Sequence, residues 1–372
     1  MTRNKLNAVA LPSPASRPHV PTMSDVATLA GVSPMTVSRV MNGDTKVRET
    51  TRVRVDAAVA ALNYVPNQAA RRLAGARSLR VGFLYSNPSA GYLSEFLVGL
   101  LNQASPNNVQ LVVEQCAADG HGIEQARRLI ANGVDGIILP PPLCDSSQLI
   151  DLIAASGTPA VTVACGQPDP RVGGISIDDF SAAYAMASHL IALGHQRIGF
   201  VIGHPNQSAS ARRLAGFQAA IAEKQAQAAP ELIVQGMFTY RSGLDAAETL
   251  LGLPQRPTAI FASNDDMAAA AVAIAHRLGL DVPGDLTVAG FDDTALATTI
   301  WPELTTVRQP ITEMAGAAVQ ALVQRIRAGD AGNDTEAAEA DRHVLVPYTL
   351  VRRQSDAAPR MRPSASAARL KR

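Results

Sequence analysis

The stretch TMSDVATLAGVSPMTVSRVMNG, residues 22–43, predicts two short helices joined by a tight turn. Thr22 and Asp25 have the spacing of a capping box, with Asp in place of the usual Glu. Val26, Leu29 and Ala30 then give the first helix an apolar face. This stretch therefore favours a small all-α unit at the start of the chain.

The turn and the helices after it fit a helix-turn-helix. Gly31 suits the left-handed C-cap of the first helix, and Ser33-Pro34 supplies an N-cap and a first helical residue for the second. We predict that the second helix spans Pro34–Met41 and a third spans Glu49–Leu62. The expected buried positions of the third helix are Val53, Val55, Ala58, Val59 and Leu62. In such motifs the second helix lies in the DNA major groove; the alternative is a three-helix packing module without DNA contact.

The helical period divides the second helix into two faces. Val37 and Val40 are predicted to point inward, which leaves Pro34, Met35, Ser38 and Arg39 toward DNA. Arg39 can pair with guanine or phosphate, and Pro34 and Met35 can touch thymine methyl groups. Short polar side chains suited to phosphate oxygens are Ser33, Thr36, Ser38, Asn42 and Thr51.

A second informative stretch, LNYVPNQAARRLAG, occupies residues 62–75. Pro66 disfavours helix at Val65, and the segment 68–75 is too short to be a stable helix by itself. Leu73 offers an apolar wedge of the kind that minor-groove proteins insert between base steps. The alternative is an interdomain linker in which Leu73 packs on the body.

Charge is distributed unevenly along the 372 residues. The net charge of +1 argues against a nucleic-acid partner when taken alone. By region, however, residues 1–21 carry +3, residues 22–77 carry +4, residues 353–372 carry +5, and residues 78–352 carry −11. A basic front end on an acidic body indicates nucleic-acid contact at one end, although basic segments can also be merely solvated.

Residues 78–352 alternate between apolar strand patterns and helical patterns. Eight strands are predicted in two series, beginning with Leu79–Tyr85 and with Arg197–Ile202. Because such repetition forms parallel sheets covered on both faces, two Rossmann-like lobes are expected, with ligands at the carboxyl ends of the strands.

Together, residues 22–43 and 62–75 resemble the headpiece and hinge of the lactose-repressor/galactose-repressor (LacI/GalR) family, and the resemblance continues through most of 78–352. It implies a homodimer on a near-palindromic double-stranded operator, with Thr22 and the hinge residues Asn67, Ala70 and Leu73 also contacting DNA. It further implies an α/β fold of the periplasmic-binding-protein type. The expected domains are an N-terminal extension (1–21), the helix-turn-helix (22–66), the hinge (67–77), the effector-binding and dimerisation domain (78–352) and a disordered tail (353–372).

The effector domain is expected to have an N-lobe of about 78–177 and 309–335 and a C-lobe of about 178–307 and 336–352. By the resemblance, Arg213, Asn264, Asp292 and Gln309 match effector-contacting positions, and Trp301 lies on a loop at the cleft edge. Tyr85 ends the first strand and is a further candidate. The alternative for Asn264, Asp265 and Asp292 is helix capping, which we favour for Asp265. A sugar or sugar derivative is the expected effector, with sugar acids, nucleosides and purines left open.

Enzyme chemistry is not indicated. The sequence contains no GxSxG, Walker A or GxGxxG motif and no metal-ligand spacing of histidines. Cys116, Cys144 and Cys165 are widely spaced, so neither a disulfide framework nor a zinc site is suggested. We expect no cofactor, no metal and no membrane span, and a cytoplasmic protein without a secretory signal. The alternative function is a small-molecule binding protein or activator whose headpiece is not its main output.

Overall fold

The structure is a computed structural model that describes residues 21–41, 47–62, 64, 78–86, 89–116, 122–227, 229–330 and 343–360. The chain divides into two compact units, Met1–Ser78 and Leu79–Arg372. Four predicted DNA contacts, Asn42, Asn67, Ala70 and Leu73, lie outside the described residues, as do the hinge and most of the N-terminal extension.

The described residues of the first unit form three helices, α1 (Met23–Ala30), α2 (Pro34–Met41) and α3 (Glu49–Ala61). The capping box is present: the Asp25 amide donates to the Thr22 side chain, and the Thr22 amide donates to Asp25 Oδ2 at 2.7 Å. Gly31 ends α1 in the left-handed conformation, with φ 63°. The helix boundaries thus follow local sequence signals closely.

A small apolar core joins these helices. Val37 and Val40 are buried as predicted, together with Val26, Val55 and Tyr64.

Two predicted core residues of this unit are instead exposed. Leu29 is 56% exposed and Val53 is 59% exposed. Val53 lies about 200° around α3 from Val55, on the opposite face. Leu29 falls outside the arc of α1 that Val26, Ala27 and Ala30 bury.

The second unit contains two six-stranded sheets. The first has the order β11-β5-β4-β3-β1-β2 and the second has the order β12-β10-β9-β8-β6-β7. Every strand pair is parallel except β10 with β12. The strands are β1 (Leu79–Tyr85), β2 (Val109–Gln115), β3 (Gly136–Leu139), β4 (Ala160–Val163), β5 (Gly173–Ser176), β6 (Ile198–Ile202), β7 (Ile233–Gln235), β8 (Ala259–Ala262), β9 (Thr287–Asp292), β10 (Thr305–Arg308), β11 (His343–Leu345) and β12 (Thr349–Val351).

Helices connect these strands. They are α4 (Ala90–Ala104), α5 (Ile123–Ala131), α6 (Ser147–Ala155), α7 (Asp179–Ala192), α8 (Ser208–Glu223), α9 (Tyr240–Leu251), α10 (Asp265–Arg277), α11 (Leu296–Thr299) and α12 (Ile311–Asp330). The eight predicted strands are all found; β5, β10, β11, β12 and the long helix α12 are additional. None of the described helices is long and apolar enough to cross a membrane.

The chain passes between the sheets three times. The first two connections lie at 177–178 and 309–310, and α12 then packs on α4 and on strands of the first sheet. A side chain on Gly99 of α4 would overlap the Thr312 carbonyl group, so glycine permits this close helix contact.

The expected boundary at about 335/336, where the N-lobe was predicted to end and the C-lobe to resume, is wrong. Strand β11 pairs with β5 of the first sheet, and β12 pairs with β10 of the second, so the chain crosses at 346–348. The free edge of the first sheet, rather than any local pattern, fixes where β11 belongs.

The predicted disordered tail is also wrong for residues 353–360. Ser355 and Asp356 are buried, and the Ser355 hydroxyl accepts a hydrogen bond from the Thr305 amide at 2.8 Å. Asp356 accepts from the Thr305 hydroxyl at 2.7 Å and pairs with His189. The segment 353–360 is therefore anchored to the second sheet despite its polar composition.

Candidate functional site

A cavity lined by both polar and apolar side chains lies between the two lobes, where the carboxyl ends of both sheets meet. About 30 Å³ of it is open to water-sized molecules. We call it the interlobe cavity. It is lined by Ser89, Tyr92, Pro141 and Ala164 from the first lobe, by Gln207, Ala209, Arg213, Phe238, Asn264 and Asp292 from the second, and by Gln309 from the connection at 309–310. Four predicted effector residues, Arg213, Asn264, Asp292 and Gln309, are thus brought together.

Arg213 is the cationic side chain of this lining. It lies buried on α8, where its Nε donates to Asp179 Oδ1 at 2.7 Å and its Nη1 donates to the Ser263 carbonyl oxygen at 2.6 Å. Its guanidinium carbon is 3.6 Å from the centre of the Phe291 ring. These contacts fix the orientation of the guanidinium group, and they compensate part of the cost of burying its charge.

Asp292 is the last residue of β9, and its Oδ1 atom lies 3.7 Å from Arg213 Nη1. Gln309 Nε2 donates to Asp292 Oδ1 at 2.6 Å. Burial raises the pKa of the Asp292 carboxyl to about 7, although Arg213 and Gln309 both act to lower it. The Asp292 carboxyl group therefore changes charge near neutral pH, and it does so in the lining of the interlobe cavity.

Two lining residues keep a buried polar atom without a partner among the described residues. These atoms are the Tyr92 hydroxyl and Gln309 Oε1. An unpaired buried polar group is costly, so a bound molecule that supplies the missing hydrogen bonds would gain from both. Sequence reasoning missed Tyr92, whose signal was its position shortly after the end of β1.

Asn264 both caps a helix and lines the cavity. Its Oδ1 accepts from the Met267 amide at 3.0 Å, and its Nδ2 donates to the Phe238 carbonyl oxygen at 3.1 Å. The cap that we expected from Asp265 is wrong, since Asn264 is the N-cap. Asp265 instead accepts from the Thr294 amide and the Thr306 hydroxyl, both at 2.7 Å, and ties α10 to β10 and the loop after β9.

Two predicted effector residues do not belong to this lining. Trp301 is 74% exposed, and Tyr85 is half-buried with its ring stacked on Phe83 at 5.9 Å. Trp301 was assigned from the family resemblance, as part of a loop at the cleft edge, and Tyr85 from its position at a strand end; neither specifies where a side chain points.

The first unit presents a separate candidate surface on α2. Pro34, Met35 and Arg39 are exposed, and Ser38 is half-buried. The Ser33 hydroxyl accepts from the Thr36 amide at 3.2 Å, which makes it the N-cap. Two predicted contacts remain. Thr22 is the N-cap of α1 and is exposed, whereas Thr51 lies in the first turn of α3 and is half-buried.

A helix-turn-helix unit followed by two α/β lobes around a polar cavity defines a class of DNA-binding regulators. Residues 22–67 match the family described as "Bacterial regulatory proteins, lacI family", and residues 187–355 match "Periplasmic binding protein-like domain". The HTH-type transcriptional repressor PurR of Photobacterium profundum is 33% identical over 312 residues, which is 82% of this chain and 92% of the relative. The lactose operon repressor of Escherichia coli is 33% identical over 343 residues, 91% of each chain.

Similar solved structures belong to the same class of protein, the DNA-binding regulators. A lac repressor dimer bound to operator and the anti-inducer ONPF has a TM-score of 0.70 at 30% identity, covering 91% of this chain and all of that one. A complex of the transcriptional regulator CelR with cellobiose has a TM-score of 0.67 at 30% identity, covering 90% and 99%. The chain belongs to the LacI family of DNA-binding transcriptional regulators, and these relatives are regulators rather than enzymes.

Proposed function

We propose that this protein is a repressor whose operator affinity is controlled by a neutral sugar or sugar derivative bound in the interlobe cavity. The observation that carries the proposal is the cluster of Arg213, Asp292 and Gln309, together with the unpaired Tyr92 hydroxyl. Convergent donors and acceptors of this kind suit a ligand with many hydroxyl groups.

The charges favour a neutral ligand over an anionic one. Arg213 is already engaged by Asp179, and Asp292 lies beside it. A sugar acid or phosphate would therefore meet carboxylates as well as the guanidinium group. Tyr92 and Phe238 contribute aromatic rings to the lining, and aromatic rings of this kind suit the carbon face of a sugar ring.

A purine is the second candidate ligand. The same two aromatic rings could stack on a base, and one relative carries the name PurR. The CelR relative is solved in complex with cellobiose, which supports the carbohydrate proposal.

On the DNA side, we place α2 in the major groove. Arg39 would bind guanine or phosphate, Pro34 and Met35 would contact thymine methyl groups, and short polar residues would hold phosphates. The hinge residues Asn67, Ala70 and Leu73 remain predicted minor-groove contacts. A homodimer on a near-palindromic operator is supported by the lac repressor relative, which is solved as a dimer on its operator.

The proposed switch is a movement of the lobes. The cavity volume of about 30 Å³ is far below the roughly 300–1,000 Å³ of typical ligand pockets, so the lobes must open to admit a sugar. Three crossovers link the lobes. Ligand binding can therefore shift the equilibrium between the open and closed arrangements of the lobes, and so alter operator affinity.

A ligand screen on the full chain tests this function. Neutral sugars are expected to raise the melting temperature in a thermal-shift assay, whereas sugar acids, nucleosides and purines should leave it unchanged. Stabilisation by purines alone would contradict the proposed ligand class.

A footprint on DNA flanking the protein's own gene, with and without the stabilising ligand, tests the DNA output. Ligand-sensitive protection of a near-palindromic site is expected. A protein that binds ligand but protects no DNA would support the alternative of a small-molecule binding protein.

A further inference from the structure

Two of the three cysteines meet in the fold although they are 21 positions apart in the chain. Cys144 lies in the turn Leu143–Asp145 after β3, and Cys165 lies just after β4. Because β3 and β4 are paired neighbours, their carboxyl ends bring both thiols beside Asp145. The sequence spacing, which suggested no metal site, could not show this juxtaposition.

The three side chains have the separations of metal ligands. Cys165 Sγ is 3.3 Å from Asp145 Oδ1, and Cys144 Sγ is 3.7 Å from Asp145 Oδ2. One ligand atom from each of the three residues lies within 4.8 Å of the other two. A tetrahedral Zn²⁺ ion with Zn–S of about 2.3 Å and Zn–O of about 2.0 Å places neighbouring sulfur and oxygen ligands about 3.5 Å apart.

We propose that Cys144, Asp145 and Cys165 bind a thiophilic divalent cation, with Zn²⁺ as the best match. Two thiolates favour zinc over Mg²⁺ or Ca²⁺, and the carboxylate suits a divalent ion of borderline softness. Further oxygen atoms near Cys165 Sγ are the Gln167 carbonyl oxygen at 3.2 Å and the Ser208 hydroxyl at 3.8 Å.

Binding replaces protons by the metal. Each thiol loses its proton as its sulfur bonds to the ion, so one Zn²⁺ releases two protons at most. Because binding releases these protons, affinity for the ion should rise with pH.

The site also touches the contact between the lobes. Asp145 accepts hydrogen bonds from the hydroxyl and the amide of Ser208, the amide at 3.2 Å, and Ser208 is the first residue of α8. The same helix carries Arg213. A cation on Asp145 would compete for the oxygens that hold Ser208, so metal binding should change the lobe equilibrium that the ligand uses.

Cobalt provides a direct test on the full chain. After treatment with a chelator and a non-thiol reductant, Co²⁺ titration of the wild-type protein is expected to give a sulfur-to-cobalt charge-transfer absorption that saturates at one equivalent and is displaced by Zn²⁺. Cys144→Ser and Cys165→Ser should each lower the affinity at least tenfold and weaken this absorption. The matched control is Cys116→Ser, because Cys116 is also a buried free cysteine but lies outside the cluster.

Several outcomes would overturn the site. Wild-type protein that is folded by circular dichroism but gives no charge-transfer absorption excludes it without reference to any variant. Equal loss in Cys116→Ser would place the ion elsewhere. One free thiol in unfolded, metal-free protein purified without reductant, with the disulfide mapped to Cys144 and Cys165, would also overturn the metal site. Asp145→Asn, which keeps the side-chain volume, should weaken Co²⁺ binding while leaving the protein folded.

Discussion

Arg213 and Asp292 show how a single buried pair can serve both folding and ligand recognition. The guanidinium group is held by Asp179, Ser263 and the Phe291 ring, so its position does not depend on the ligand. Asp292 has weaker compensation, at 3.7 Å from Arg213 with a single amide donor from Gln309. The carboxyl group is thus the member of the pair that a ligand would stabilise most.

Removal of the Arg213 side chain should abolish the ligand response. For Arg213→Ala we expect ligand affinity to fall at least 100-fold and the free energy of unfolding to fall by about 3–5 kcal/mol, since Asp179 loses its buried partner. Calorimetric titration and thermal melting measure these effects. Arg212→Ala is the matched control, because Arg212 is the preceding residue and its own side chain is about half exposed. Unchanged ligand binding in Arg213→Ala would remove Arg213 from the site.

Asp292 should make stability depend on pH. Its pKa is raised to about 7, so the native protein holds this proton more tightly than the unfolded chain does. The free energy of unfolding should therefore decrease as pH rises from about 4 to about 7. Asp292→Asn should flatten this slope and raise the melting temperature at pH 8, while it weakens ligand binding.

Melting curves from pH 5 to pH 8 give the slope for each variant. The control Asp245→Asn changes an exposed carboxylate and should keep the wild-type slope. A wild-type slope in Asp292→Asn would show that other groups carry the pH dependence.

At the scale of elements, helix α3 and the segment 353–360 show that burial follows geometry rather than composition. On α3 the two valines Val53 and Val55 are chemically identical, yet one is exposed and the other fully buried. In the polar segment, by contrast, Ser355 and Asp356 are buried because they complete hydrogen bonds at β9 and β10.

The two valines provide a matched test of the helix-turn-helix core. Val55→Ala should destabilise the first unit by about 2 kcal/mol, because it leaves a cavity in a small core, whereas Val53→Ala should change its stability by less than about 0.5 kcal/mol. Hydrogen exchange of amides in residues 23–61 measures both effects. Equal exchange in the two variants would contradict the packing of α3.

Ser355 tests the anchoring of the segment 353–360. Ser355→Ala removes the acceptor of the Thr305 amide and should lower the free energy of unfolding of the second unit by about 1–3 kcal/mol. Gln354→Ala is the neighbouring control, since its side chain is exposed. Urea unfolding followed by far-ultraviolet circular dichroism compares them. A stability of Ser355→Ala equal to wild type would mean that the segment contributes nothing to this unit.

For the whole molecule, the approach of the two lobes depends on a glycine after β4. The Gly166 amide donates to the Ser208 hydroxyl at 2.8 Å, and a Cβ on Gly166 would lie 2.8 Å from the Ala209 nitrogen. Only a residue without a side chain permits this contact. The closed arrangement of the lobes therefore depends on a backbone-to-backbone fit.

Gly166→Ala should shift the protein toward separated lobes. We expect a larger radius of gyration of the second unit in solution scattering, because the closed state becomes strained. Gly329→Ala is the control, since a Cβ there meets nothing within 4 Å. An unchanged radius in Gly166→Ala would show that this contact does not limit closure.

Local sequence by itself determined the helix-turn-helix and the eight strands of the two predicted series. Capping residues, glycine turns and apolar periodicity act within a few positions, so Thr22, Gly31 and Ser33 mark helix ends in any context. Four of the six predicted effector residues, the four that the family resemblance matched to effector-contacting positions, also line the cavity.

Only the tertiary structure decided the rest, because it depends on contacts between distant parts of the chain. The pairing of β11 with β5, the burial of Ser355, the place of Tyr92 in the cavity and the meeting of Cys144 with Cys165 each require two segments to pack. Local patterns limit which side chains can be buried, but packing partners determine which of them are. For this reason Trp301 and Val53 are exposed, although Trp301 was predicted at the effector site and Val53 in the core of the helix-turn-helix.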